Sequence, residues 1–231
     1  MTKIDLEKYT VEMAAFIELA EDFVDKSSTL RLTHVLRDLQ IKVDERTPRL
    51  HWSTDREIII RSSEYYDGPN RKHLKTELSV TFDCVFLREE GTKPKVPMWE
   101  IDRISTHLRL KKNGYELPFH FDYKNSDQWG PQIHFQVSEN LCDLPIPRLL
   151  SNVCLPTDCL DLILSELHPV EWQTVQLAGN NRTHIARVRN AQESRILAYI
   201  SELKQLWDGD KATTRVNMLQ NYTSKLSALP S

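Results

Sequence analysis

What this chain lacks narrows its chemistry before any element is placed. Its four cysteines, Cys84, Cys142, Cys154 and Cys159, form no Cys-x-x-Cys pair, so neither a zinc ribbon nor a disulfide framework is indicated. No run approaches the ~18 apolar residues of a membrane-spanning helix. The opening Met-Thr-Lys-Ile-Asp-Leu-Glu has no apolar signal core, so a reduced, cytoplasmic setting without membrane association is expected. A net charge of −3 supplies no global attraction to nucleic acid or anionic lipid, and such binding would need a local patch. There is no P-loop, no Gly-x-Gly-x-x-Gly, no Gly-x-Ser-x-Gly and no His-Glu-x-x-His. The His-x-Thr pair of histidine phosphodiesterases is also missing, its place taken by His-Phe-Asp and His-Phe-Gln. Internal repeats and low-complexity segments are absent as well.

What is present is an ordinary globular composition: 231 residues, 40% hydrophobic and 27% charged. The pattern reads as a single α+β domain over 1–231, with helices in 4–43, a sheet in 56–140 and C-terminal helices in 156–226. Leu6, Tyr9, Met13, Phe16, Ile17, Ala20, Phe23 and Val24 recur at helical spacing over 4–25. Ser27-Ser28 then break that helix and can cap a second one carrying Leu32, Val35, Leu36 and Leu39. In the C-terminal third, Leu160, Ile163, Leu164 and Leu167 line one face of a helix over 157–167. His168-Pro169 restarts a short helix that Gly179 can end, and a long helix runs from about Thr183 to Trp207. A last helix is expected over 214–226.

Between the helices lies an antiparallel meander of about five strands, and one turn sets its alignment. Asn113-Gly114 suits a two-residue type I′ turn, which needs positive φ at both central positions. Lys112 then pairs with Tyr115, Leu110 with Leu117, Leu108 with Phe119, Thr106 with Phe121 and Ile104 with Tyr123. These pairs share one face. The other face receives His107 against His120, Ser105 against Asp122, and Arg109 against Pro118. Ile133, Phe135 and Val137 mark a third strand, and pairing near 120 with 134 adds His134 and Gln136 to the polar face. Strands over 57–62 and 78–86 precede the hairpin, and a phase change between Ile101 and Ile104 suggests a bulge. The flanking helices are expected to cover the Phe- and Leu-rich face.

The polar face is the candidate site. Directly paired residues have Cβ atoms roughly 4.5–5.5 Å apart, so the imidazoles can share a ligand, a proton or a phosphate. His107, His120, His134 and Asp122 form the candidate catalytic set, with Arg109 and Gln136 on the substrate. Histidines can transfer protons in both directions at neutral pH, which suits metal-independent RNA cleavage. Two or three His with Asp122 also suit zinc or a first-row metal, but no tight ligand motif assigns a metal set, and no cofactor is specified. A solvated polar sheet face is the third reading. Arg71, Lys72, His73 and Lys75 make a basic run in a loop. Arg182, Arg187, Arg189 and Arg195 put positive charge on the long helix, where phosphate binding and plain solvation compete.

The run His120-Phe-Asp122-Tyr123, then His134-Phe-Gln136-Val137, then Leu144-Pro-Ile-Pro147, then an apolar helix after Pro156, resembles small bacterial families found in toxin–antitoxin and phage-defence neighbourhoods. Among them it is similar to the TumE-like toxins, over about residues 116–167. The resemblance implies a defence or toxin role and action on RNA. The alternative is a non-catalytic subunit that binds a protein partner through the open sheet face or the long C-terminal helices.

Overall fold

The computed structural model describes residues 3–45, 47–63, 76–89, 98–124, 133–137, 149–151 and 155–208. Their order is β1 (Lys3–Ile4), α1 (Leu6–Ala20), α2 (Lys26–Asp44), β2 (Arg49–Ser53), β3 (Ile58–Arg61), β4 (Glu77–Arg88), β5 (Trp99–Lys112), β6 (Tyr115–Lys124), β7 (Ile133–Val137) and β8 (Leu149–Leu150). Then come α3 (Pro156–Leu167), α4 (Pro169–Leu177), a 3-10 turn at Gly179–Asn181 and α5 (Arg182–Asp208). The 64–75 loop with its basic run, the loop after Gly91, the 124–131 connection beyond Lys124, the Leu144–Pro147 segment and the 214–226 helix lie outside the described residues, as do Cys142 and Cys154.

The fold is α+β, built on an antiparallel sheet in the order β2-β4-β5-β6-β7-β8. The five expected strands are β3 to β7, and β1, β2 and β8 add to them. β4 is long enough to hold two partners on one side: β2 along Asp83–Leu87 and β3 along Glu77–Val80. Thr54 closes the gap between them. Its N–H donates to the Phe82 carbonyl and its hydroxyl accepts from the Phe82 N–H, each at 3.0 Å.

Asn113 and Gly114 have φ of 53° and 81°, the left-handed pair a type I′ turn requires. The β5–β6 register is the one that turn dictates, from Lys112↔Tyr115 to Ile104↔Tyr123. The bulge is also where alternation changes phase. Val85 pairs with Arg103 and Phe86 with Ile101, leaving Asp102 as the extra residue. β7 differs by two residues from the expected pairing, because Asp122, not His120, stands opposite His134. A two-residue slip preserves the face of every side chain, so hydrophobic patterning cannot distinguish the two registers.

The helices cover the apolar face on its β2–β4 side, but towards the Asn113-Gly114 turn they do not, and there Leu117 is 39% and Tyr115 82% exposed. Trp52 is fully buried between Tyr9 of α1 and Phe82 of β4, with ring centroids 5.9 and 4.6 Å away, and its indole N–H donates to the Val35 carbonyl of α2 at 2.8 Å. Phe16 and Phe23 of α1 and its exit turn meet Trp172 of α4. Burying each such side chain is worth about 1.5–3 kcal/mol. The two N-terminal helices are divided earlier than the serine pair suggests. α1 ends at Ala20, and Asp25 caps α2 by accepting from the Ser28 N–H at 2.7 Å. Ser28 itself is fully buried inside the first turn, where its hydroxyl accepts from the Ile59 N–H at 2.8 Å and ties α2 to β3. Among the described residues, no helix is long and apolar enough to cross a membrane.

Candidate functional site

His107 and His120 are direct cross-strand partners on β5 and β6, and their ring centroids lie 5.7 Å apart. His120 and His134 follow at 6.1 Å, their planes nearly perpendicular. The three imidazoles form a row across the sheet face turned away from the helices. They also form a gradient of burial. His107 is exposed, the His120 side chain retains 17% of its accessible area, and that of His134 retains 2%.

Asp122 sits at the buried end of this row. Its Oδ2 lies 3.3 Å from His120 Nε2 and 3.9 Å from His134 Nε2. Its other oxygen, Oδ1, accepts from the Ser105 hydroxyl at 2.5 Å. Ser105 is also 3.0 Å from His107 Nε2, so one hydroxyl joins the carboxylate to the outermost imidazole. These contacts follow from the pairing: Ser105 opposes Asp122, and His107 is two residues further along the same face. Gln136 is buried opposite His120.

Arg109 shares this face but turns to other partners. Its Nε is 2.8 Å from Glu116 and its Nη1 is 3.5 Å from Glu57, so two carboxylates already neutralise it. The structure thus brings together His107, His120, Asp122, His134 and Gln136, while Arg109 stands beside them in its own ion pairs. Ser105 is the member to which sequence reasoning assigned no role, although the hairpin register already placed it opposite Asp122.

A second polar assembly lies on the helix side. Glu12 of α1 accepts from Thr157 of α3 at 2.9 Å and from Arg195 of α5 at 2.8 Å, and Arg195 also pairs with Asp158. Burial raises the Glu12 carboxyl above its ordinary range, and the Arg195 guanidinium offsets this only in part. Asp161 of α3 similarly accepts from the Trp172 indole and from Arg189 at 2.8 Å each, and from Gln192 at 3.2 Å. Two arginines of the long helix are therefore struts between helices rather than a phosphate patch. The sequence carried one sign of this: Glu12 falls on the same helical stripe as Tyr9, Met13 and Phe16. Beside this assembly, Ile4, Tyr9, Ile101, Ile133, Ile196 and Tyr199 help line a cleft of about 710 Å³. Ile133 precedes His134 in β7, so the cleft and the imidazole row open on opposite sides of the sheet.

The imidazole row offers paired proton-transfer groups, a carboxylate to orient them, and an exposed end at which a substrate can arrive. Comparison of the chain with protein-family models, curated proteins and solved structures finds no match.

Proposed function

We propose that this chain is a bacterial toxin-like or defence protein that cleaves RNA at the imidazole row. The observation that carries the reading is the placement of His107, His120 and His134 on one face, with an Asp122 oxygen 3.3 and 3.9 Å from the Nε2 atoms of two of them. In such a reaction a base takes the proton of a ribose 2′-hydroxyl, and the 2′-oxygen attacks phosphorus. The bond to the 5′-oxygen breaks as an acid returns a proton to that oxygen. The products are a 2′,3′-cyclic phosphate and a 5′-hydroxyl, with no net gain or loss of protons. His107, outermost and exposed, meets the substrate first. His120 lies one strand inward, and Asp122 and His134 hold it in place.

Positioned acid and base groups contribute about 10²–10⁴-fold each. The purified chain, incubated with a single-stranded RNA oligonucleotide, should yield cyclic-phosphate ends, and His120→Ala should slow this by at least about 100-fold. Circular dichroism checks that the variant remains folded. Cleavage unaffected by the substitution removes the reading.

A second reading, a partner-binding subunit, is favoured by one observation. On α5, Leu197 and Ile200 are 57% and 53% exposed, and Ile196 lies beside them at helical spacing. On this reading the wild-type chain cleaves no RNA, and replacing Leu197 and Ile200 by Asp abolishes its association with a protein partner. The opposite pattern counts against it.

A further inference from the structure

We propose that His120, Asp122 and His134 hold a divalent cation of the zinc class. The proposal rests on the functional reading above, which it deepens by assigning the base to a metal-bound hydroxide rather than to a free imidazole. One donor atom from each of the three residues lies within 4.8 Å of the other two. Zinc bonds of about 2.0–2.1 Å at tetrahedral angles need donors about 3.3–3.4 Å apart. The His120 Nε2–Asp122 Oδ2 separation of 3.3 Å already meets this, and the His134 Nε2–Asp122 Oδ2 separation of 3.9 Å nearly does. Small side-chain rotations on a paired sheet close the rest.

Three further features fit a cation. Two nitrogens and one oxygen form the borderline donor set that zinc and its first-row neighbours accept. Ser105 engages Asp122 Oδ1, leaving Oδ2 directed at the imidazoles, the kind of outer contact that orients a ligating carboxylate. Burial shields the His134 side, and the exposed His107 marks the side from which a fourth ligand would arrive, the position a catalytic site requires. A cation held there lowers the pKa of a bound water to about 7, which supplies hydroxide at neutral pH. That hydroxide takes the 2′-hydroxyl proton and becomes water, and the rest of the reaction is unchanged.

The test is calorimetric titration of the chelator-dialysed full chain with zinc chloride. Wild-type protein should bind one equivalent, and His51→Ala, a distant histidine paired with Asp83, should bind it equally well. Affinity should fall at least 100-fold in His120→Ala and in Asp122→Asn. Ser105→Ala should weaken it by about 10–100-fold. His134 is too buried for its removal to be a clean test, so the two more exposed ligands carry the comparison. Lack of saturable binding by the wild type, or binding that survives both ligand substitutions, overturns the proposal. RNA cleavage that persists in chelator without zinc binding would dismiss the cation and keep the ribonuclease reading. Zinc binding lost as described but without any RNA cleavage would keep the site and dismiss that reading.

Discussion

Ser105 donates to Asp122 across the β5–β6 pair, and this one contact decides which carboxylate oxygen faces the imidazoles. The hydroxyl also reaches His107, so it couples the buried and exposed ends of the row. Ser105→Ala should leave the melting temperature within a few degrees of wild type, because a half-exposed hydroxyl contributes only about 1 kcal/mol. RNA cleavage should nevertheless fall by about tenfold or more. Calorimetry and a cleavage assay on the same preparation separate the two effects.

The alignment of the whole site depends on Gly114, whose φ of 81° an L side chain rarely adopts. A Cβ there meets nothing within 4 Å, so any penalty comes from the backbone alone. Gly114→Ala should cost about 1 kcal/mol, while Asn113→Gly should be nearly neutral. Urea unfolding of the two variants checks the order.

The Glu12–Arg195–Asp158 assembly should behave as a buried ion network. Arg195→Ala leaves two carboxylates facing each other without a counter-charge, and should destabilise the fold by about 3–5 kcal/mol. Glu12→Gln keeps Arg195 paired with Asp158 and should cost about 1–2 kcal/mol. Equal losses in chemical denaturation would show that the ions do not act as a group.

Asp83 should contribute to acid sensitivity. Partial burial raises its carboxyl, but hydrogen bonds from His51 and Arg103 and the charges they carry outweigh this and hold it below the ordinary range. A depressed carboxylate stabilises the fold above its unfolded pKa, and that stability is lost as pH falls through the folded value. Asp83→Asn should therefore flatten part of the stability loss below about pH 4, and denaturant titrations over that range would show it.

Much of this geometry was legible in the residues because local chemistry dictated it. Asn113-Gly114 admits one turn type, and the hairpin register, the His107–His120 pair and the Ser105–Asp122 pair all follow from it. The Ile101-to-Ile104 phase change located the Asp102 bulge for the same reason. β7 was legible in face but not in register, since period-two alternation is blind to a two-residue slip. β2 was not legible although Leu50 and Trp52 alternate with Arg49 and His51, because it offers only two apolar residues, where β3 has three consecutive isoleucines and β7 three alternating apolar residues. The two-residue strands β1 and β8 carry no periodic signal. Glu116 beside Arg109 was implicit in the hairpin register, because it opposes Lys111 on the same face, but the partners of Arg189 and Arg195 come from distant parts of the chain, and spacing alone holds no information about them.

The most direct test of the imidazole row is a double-mutant cycle on RNA cleavage with His107→Ala, His120→Ala and both together. Groups that act as one catalytic unit lose their effect jointly. The double variant should be no slower in kcat/KM than the worse single variant. Losses that multiply would mean that the two histidines work independently, and two single variants as fast as wild type would mean that the row does no chemistry on RNA.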